Sequence, residues 1–211
     1  GGAINLTGGT VGSNNAAQIQ SRWGTQTITG APTITLTGGA SGGTQNATFN
    51  INEGNFARIT ASVGNQNITA SAINITGGAN GTNNDASINI FGSGSTQTVS
   101  ATGIAITGGG IGTNNYGGIF STSATGGAQT IQGGSSISLT GGGGATGISN
   151  SANISYSGIA TQSISASAIN LKGGTGVSGN NAFIQATAGN QTITGSPTVT
   201  LRAGDSGGVT N

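Results

Sequence analysis

The chain contains no cysteine, no methionine and no histidine, and only two prolines. Charge is almost as scarce: four Lys or Arg and three Asp or Glu make up 3% of 211 residues, against roughly 25% in an ordinary soluble domain. Each absence excludes something. Without cysteine no disulfide staples the fold. With no imidazole or thiol, and with Glu53, Asp85 and Asp205 as its carboxylates, the chain has almost no material for acid–base, nucleophilic or transition-metal chemistry. Arg22, Arg58, Lys172 and Arg202 are too few to track a phosphate backbone, so nucleic acid is not an expected partner. No stretch approaches the roughly 18 apolar residues of a membrane helix. Any export signal is expected outside these residues. The expectation is a chain that is not an enzyme and takes no cofactor or metal ion.

What is present is glycine, 44 residues of it, and repetition. The phrase Ile-x-Leu-Thr-Gly-Gly recurs in close variants at Ile4–Gly9, Ile34–Gly39, Ile73–Gly78, Ile104–Gly109, Ile137–Gly142 and Ile169–Gly174, with a degraded seventh copy at Val199–Gly204. A second phrase, Gln-Thr-Ile, begins at Gln26, Gln66, Gln97, Gln129, Gln162 and Gln191. A third, a small residue, a spacer and then Ile or Phe, is read at Ala17–Ile19, Ala47–Phe49, Ala86–Ile88, Gly117–Ile119, Ala152–Ile154 and Ala182–Ile184. The three follow one another in fixed order with a period of about 31 residues, which disorder would not hold. From the small residue to the next Gln is 9 to 12 residues, except from Ala47 to Gln66, where it is 19; an insertion or flap is therefore expected over residues 50–65.

Each phrase alternates apolar and polar, which is the period of a strand, and no helical stripe is present. One unit of this length cannot bury its isoleucines alone. Stacked at about 4.8 Å, however, every Ile lies on another Ile and the strands pair their backbone groups from coil to coil. The expected fold is all-β: a parallel β-solenoid of six to seven coils, three short strands per coil, forming one array over 1–211. Two residues before each small residue stands an amide, at Asn15, Gln45, Asn84, Asn115, Asn150 and Asn180. In register, these are expected to bond to one another as a ladder, and the recurring Gln column offers a second. Asn tolerates the left-handed backbone of a tight corner, and Gly-Gly is expected to supply positive φ at the other.

Few residues stand outside this pattern. Gly141–Gly147 lacks the Lys-Ser/Thr ending and the helix of a phosphate loop. Two scattered aspartates cannot form the column of a calcium-binding repeat. Glu53, Phe56 and Arg58 fall in the expected insertion and form the candidate surface for recognition, with a local ion pair. Trp23, Tyr116 and Tyr156 are isolated aromatics near corners, suited to packing or fibre contacts.

The repeat Gln66-Asn67-Ile68, Ile73–Gly78, Asn83–Ile88 resembles those in the long shafts of filamentous-haemagglutinin-like bacterial exoproteins, over essentially the whole chain. The resemblance implies a secreted β-helical shaft at the bacterial cell surface, exported through an outer-membrane partner pore. The repeats begin and stop out of phase, which points to the expectation of a segment of a larger array or a processed unit. Three functions follow in order: a structural element of an extracellular fibre, sheath, biofilm matrix or adhesin shaft that self-associates end to end or continues in the same chain; a functional amyloid resembling curli subunits; and an ice-binding solenoid. The last needs a regular hydroxyl array, and Thr27, Thr29, Thr33, Thr35 and Thr37 give way at equivalent sites to Asn67, Asn74, Ser100, Ala105 and Asn170.

Overall fold

The computed structural model describes residues 1–46, 51–122, 125–144 and 146–205. The Ile-x-Leu phrases form strands β1 (Ala3–Thr7), β4 (Thr33–Thr37), the second halves of β8 (Gln66–Thr76), β10 (Gln97–Thr107) and β12 (Gln129–Thr140), then β15 (Ala168–Lys172) and β18 (Thr198–Arg202). The Gln phrases form β3 (Gln26–Ile28), the first halves of β8, β10 and β12, then β14 (Thr161–Ala166) and β17 (Asn190–Thr194). The third phrase forms β2 (Ala17–Ser21), β7 (Ala57–Ala61), β9 (Ala86–Ile90), β11 (Gly117–Ser121), β13 (Ala152–Tyr156) and β16 (Ala182–Ala186). The result is a parallel β-solenoid of about six turns, with no helix among the described residues.

The three long strands bend from the Gln face to the Ile-x-Leu face without leaving the sheet, so those two faces are one continuous ten-stranded sheet. The third face is a separate six-stranded sheet in the order β16-β13-β11-β9-β7-β2. Register is set by identity: Ile104 lies between Ile73 and Ile137, and Ile106 between Ile75 and Leu139. On the third face Ile119 lies between Ile88 and Ile154. These inward columns, with Ile68, Val99, Ile131 and Ile164 from the Gln face, are fully buried and form the single core. Each such side chain contributes about 1.5–3 kcal/mol on burial.

The second coil departs from the expectation. The Ala47–Phe49 phrase falls outside the described residues, and the strand in register with Ala17–Ser21 and Ala86–Ile90 is β7, Ala57–Ala61. From Ala57 to Gln66 is nine residues, as in the first and last coils. The insertion therefore begins before residue 50 and ends before Asn55, and does not run to residue 65. Its described part is an antiparallel hairpin of β5 (Thr44–Asn46) and β6 (Ile51–Glu53), leaving the corner between the Gly-Gly pair and the third face. Gln45 belongs to this hairpin, paired with Asn52, and not to the amide column.

The Gly-Gly corner also works differently from the expectation. Neither glycine of the pair takes a positive φ; the left-handed positions are a later glycine of the corner, such as Gly12, Gly81 and Gly112, and the residue before the column amide, at Asn14, Asn83, Asn114, Ser149 and Gly179. The pair is glycine because the chain packs too closely for a side chain. A Cβ on Gly38 would collide with the Asn84 carbonyl, and one on Gly78 with the Asn84 side chain. In exchange the second glycine's N–H donates across the corner, Gly78 to the Asn84 carbonyl at 2.5 Å and Gly109 to that of Asn115 at 2.5 Å.

Candidate functional site

Two amide columns run the height of the solenoid. In the first, Asn15, Asn55, Asn84, Asn115, Asn150 and Asn180 bond side chain to backbone and not amide to amide. The Oδ1 of each accepts from the backbone N–H of the Asn one coil earlier, at 2.8–2.9 Å. Each Nδ2 donates to one or two loop carbonyls, such as Gly81 and Ile111 for Asn115. The place expected for Gln45 is filled by Asn55, whose shorter side chain reaches the Asn15 N–H while its own N–H meets Asn84 Oδ1. The second column is a true side-chain ladder. Gln66, Gln97, Gln129, Gln162 and Gln191 each donate Nε2 to the Oε1 of the Gln one coil earlier, at 2.6–2.8 Å. Gln26, first in the series, donates to the Ile19 and Thr60 carbonyls. Both columns hold coil to coil along the solenoid.

The outer faces are unequal. Two of them carry Thr, Ser, Asn, Ala and Gln, with Lys172 and Arg202 added at one end. There Asp205 accepts from both cations, and these hold its carboxyl below the ordinary value, the Lys172 hydrogen bond contributing most. The outer face of the six-stranded sheet is different. Among the described aromatics, Phe56, Tyr116, Phe120 and Phe183 lie on it, Trp23 and Phe91 stand at the corner that follows it, and only Tyr156 points inward. Tyr156 is buried, its hydroxyl donating to the Gly127 carbonyl and accepting from the Ala160 N–H.

Towards the first-coil end of this face Arg58 on β7 forms a bidentate pair with Asp85, Nε to Oδ2 at 2.9 Å and Nη2 to Oδ1 at 2.8 Å. Arg58 thus pairs with Asp85, one coil on; the Glu53 side chain lies outside the described ones. The guanidinium also stacks on Phe56 at 4.0 Å, and Tyr116 meets Phe120 edge to face at 5.4 Å. The Asp85 side chain is 1% exposed. Burial opposes the Arg58 charge, but the Asp85 carboxylate outweighs it and the pKa is raised. Burial, reinforced by Asp85 and partly offset by Arg58, pushes the Tyr116 hydroxyl well above its ordinary value.

Beneath the large side chains lies a floor of small ones. Thr60, Ser87, Asn89, Gly118 and Asn153 occupy outward positions yet are buried. The Phe120 ring fills the space a Cβ would take on Gly118. Thr60 Oγ1, Asn89 Oδ1 and Asn153 Oδ1 find no hydrogen-bond partner among the described residues. Both edges of the face are apolar and exposed. Val11, Ile111, Ile148 and Val177 line the corner entering it, and Trp23, Val63, Phe91 and Ile159 the corner leaving it. The sequence reading found Phe56 and Arg58 but missed Asp85 and Phe120. Stacking the sequence at its period from Ala57 puts Phe56, Asp85 and Tyr116 in one column, a signal hidden by the wrong phase of the second coil.

Among the described residues no group of three His, Cys, Asp or Glu side chains could hold a metal ion, and no helix is long and apolar enough to cross a membrane. No protein family, curated protein or solved structure matches this chain.

Proposed function

We propose that this β-solenoid is a structural segment of an extracellular fibre or adhesin shaft at a bacterial cell surface, exported through an outer-membrane partner and without catalytic activity. The observation that carries the reading is the stacking itself: like residues lie in register from coil to coil on every face, a pattern any further coil would continue. At the C-terminal end Leu201 is 71% exposed, and Val199 and Ile193 are about half exposed, although each belongs to a column that is buried in the central coils. At the other end Ile4, Leu6, Ile19 and Ile28 are only partly covered. The β16, β17 and β18 edges leave backbone groups unpaired, which favours addition of a further strand. Edges of this kind accept a further coil in the same register, which is what a shaft built by stacking requires.

Electron microscopy and fibre diffraction of the purified chain test this reading. The expected object is a thin filament with a spacing of about 4.8 Å along its axis, which Leu201→Asp shortens or abolishes. Separate particles that do not grow at high concentration would overturn it. The buried Gln ladder keeps a curli-like functional amyloid as the second reading; filaments that form only through an unfolded intermediate would favour it.

A further inference from the structure

We propose that Asn80 is a site of self-modification, at which the backbone nitrogen of Gly81 attacks the side-chain amide and the residue becomes an acid. Asn80-Gly81 is the one Asn-Gly step in the chain. It lies in the third-coil corner that leads from the Gly-Gly pair to the six-stranded sheet, where the first and fourth coils carry Val11-Gly12 and Ile111-Gly112. The three positions are equivalent, because the carbonyls of Val11, Asn80 and Ile111 each accept from the column Asn four residues on. The third coil thus holds a chemically labile amide where those two coils hold an apolar side chain.

Three features of the corner set up the reaction. Gly81 has no side chain to shield its nitrogen and takes a φ of 85°. Its N–H donates to Asn80 Oδ1 at 2.8 Å, and to no backbone carbonyl among the described residues. That bond folds the amide over the next peptide, sets Cγ beside the nitrogen and draws electrons from the carbon to be attacked. Asn80 is also exposed, so water and hydroxide reach it. Elsewhere these conditions do not coincide. Asn84, Asn115 and Asn150 are buried with both side-chain polar atoms engaged. The exposed Asn67, Asn74 and Asn170 precede Ile or Leu within paired strands.

The step balances without oxidant, reductant or cofactor. Hydroxide removes the Gly81 amide proton, the nitrogen bonds to Asn80 Cγ, and the Cγ–Nδ2 bond breaks. Nδ2 leaves as ammonia, taking a proton from water and restoring the hydroxide. Water then opens the five-membered imide. Opening at Cγ leaves aspartate; opening at the backbone carbon leaves isoaspartate, with the chain rerouted through the side chain. Either product adds a carboxylate and so cancels the formal net charge of +1. Isoaspartate also lengthens the main chain by one carbon. It does so where the Asn80 carbonyl accepts from Asn84 Nδ2, and the Gly81 carbonyl from Asn115 Nδ2 and the Thr113 N–H. That product therefore loosens the contact between the third and fourth coils. The site is complete within one chain and does not depend on the fibre reading.

The test is incubation of the folded chain in mildly alkaline buffer made with heavy-oxygen water, followed by peptide mapping and mass spectrometry. The expected result is labelled oxygen at residue 80 ahead of every other asparagine, in separable aspartate and isoaspartate peptides, at a rate that rises in proportion to hydroxide. Asn80→Ile, which copies the fourth coil, should abolish the label at this position with an unchanged circular dichroism spectrum. Should that variant lose structure, Asn80→Gln makes the same comparison, since its longer side chain must close a less favourable ring. A synthetic peptide of residues 77–84 measures the reaction without the corner, and the folded chain should match or exceed its rate. A folded chain that lags the peptide about tenfold or more, or that takes label first at another asparagine, would overturn the proposal.

Discussion

Replacing Gln97 by Leu tests the Gln ladder at its centre. The Gln97 side chain is fully buried; its Nε2 donates to Gln66 Oε1 at 2.8 Å and to the Phe120 carbonyl at 3.2 Å, and its Oε1 accepts from Gln129 at 2.7 Å. Leu fills nearly the same volume, so packing changes little. Gln66 Oε1 then has no donor, and one Gln129 N–H has no acceptor. An orphaned buried polar group costs about 1–3 kcal/mol, so two of them come to about 2–6 kcal/mol before the gain from burying Leu is set against them. The more diagnostic variant is Gln97→Leu/Gln129→Leu. It again leaves one oxygen orphaned, on Gln66, and one N–H, on Gln162, so the pair should cost about as much as the single change. Gln191→Leu, at the exposed end, should cost about 1 kcal/mol or less. Urea denaturation followed by circular dichroism measures these differences as midpoints at constant slope. If the double variant costs twice the single one, the energy belongs to each residue's own packing and the ladder argument fails.

Ile106→Asp puts a charge between Ile75 and Leu139 and should cost several kcal/mol, whereas Thr107→Asp, facing out, should be tolerated; equal losses by thermal melting would invert the face assignment. Gly78→Ala should destabilise strongly because the new methyl collides with Asn84, while Gly2→Ala, with nothing within 4 Å, should be silent in the same melt. With no histidine, the melting midpoint should be flat from about pH 5 to pH 9. The lowered Asp205 pKa contributes stability above the ordinary carboxylate range, lost as pH falls through its folded value. The raised Tyr116 pKa contributes below the ordinary tyrosine value of about 10, and that contribution fades as pH rises above it, so Tyr116→Phe should flatten the alkaline limb of a pH–stability curve.

The period, the inward columns and the Gln ladder could be read from the sequence because each is a local pattern repeated in six coils. The second coil could not be phased that way. Ala47-Thr48-Phe49 meets the small-x-apolar rule as well as Ala57-Arg58-Ile59 does, and Gln45 stands at the right offset from it. What decides is length. The column requires an oxygen that reaches the N–H one coil earlier, and in that coil Asn55 supplies it. The same slip concealed the Arg58–Asp85 pair, whose members are 27 residues apart and meet only through the stacking of coils. The Gly-Gly pair misled for another reason. Both positive φ and close approach demand glycine, and composition does not distinguish them.

The Gln ladder also gives the chain an electrical direction. Backbone N–H and C=O groups along a strand point alternately up and down the axis and largely cancel. The side-chain amides from Gln66 to Gln191 do not alternate, since every donor faces the first coil and every acceptor the last. Their dipoles add along the axis, as peptide dipoles do along a helix. A molecule with a formal net charge of +1 is therefore polarised from end to end. Each added coil lengthens that polarisation, and two last-coil ends brought together would set amide oxygen against amide oxygen.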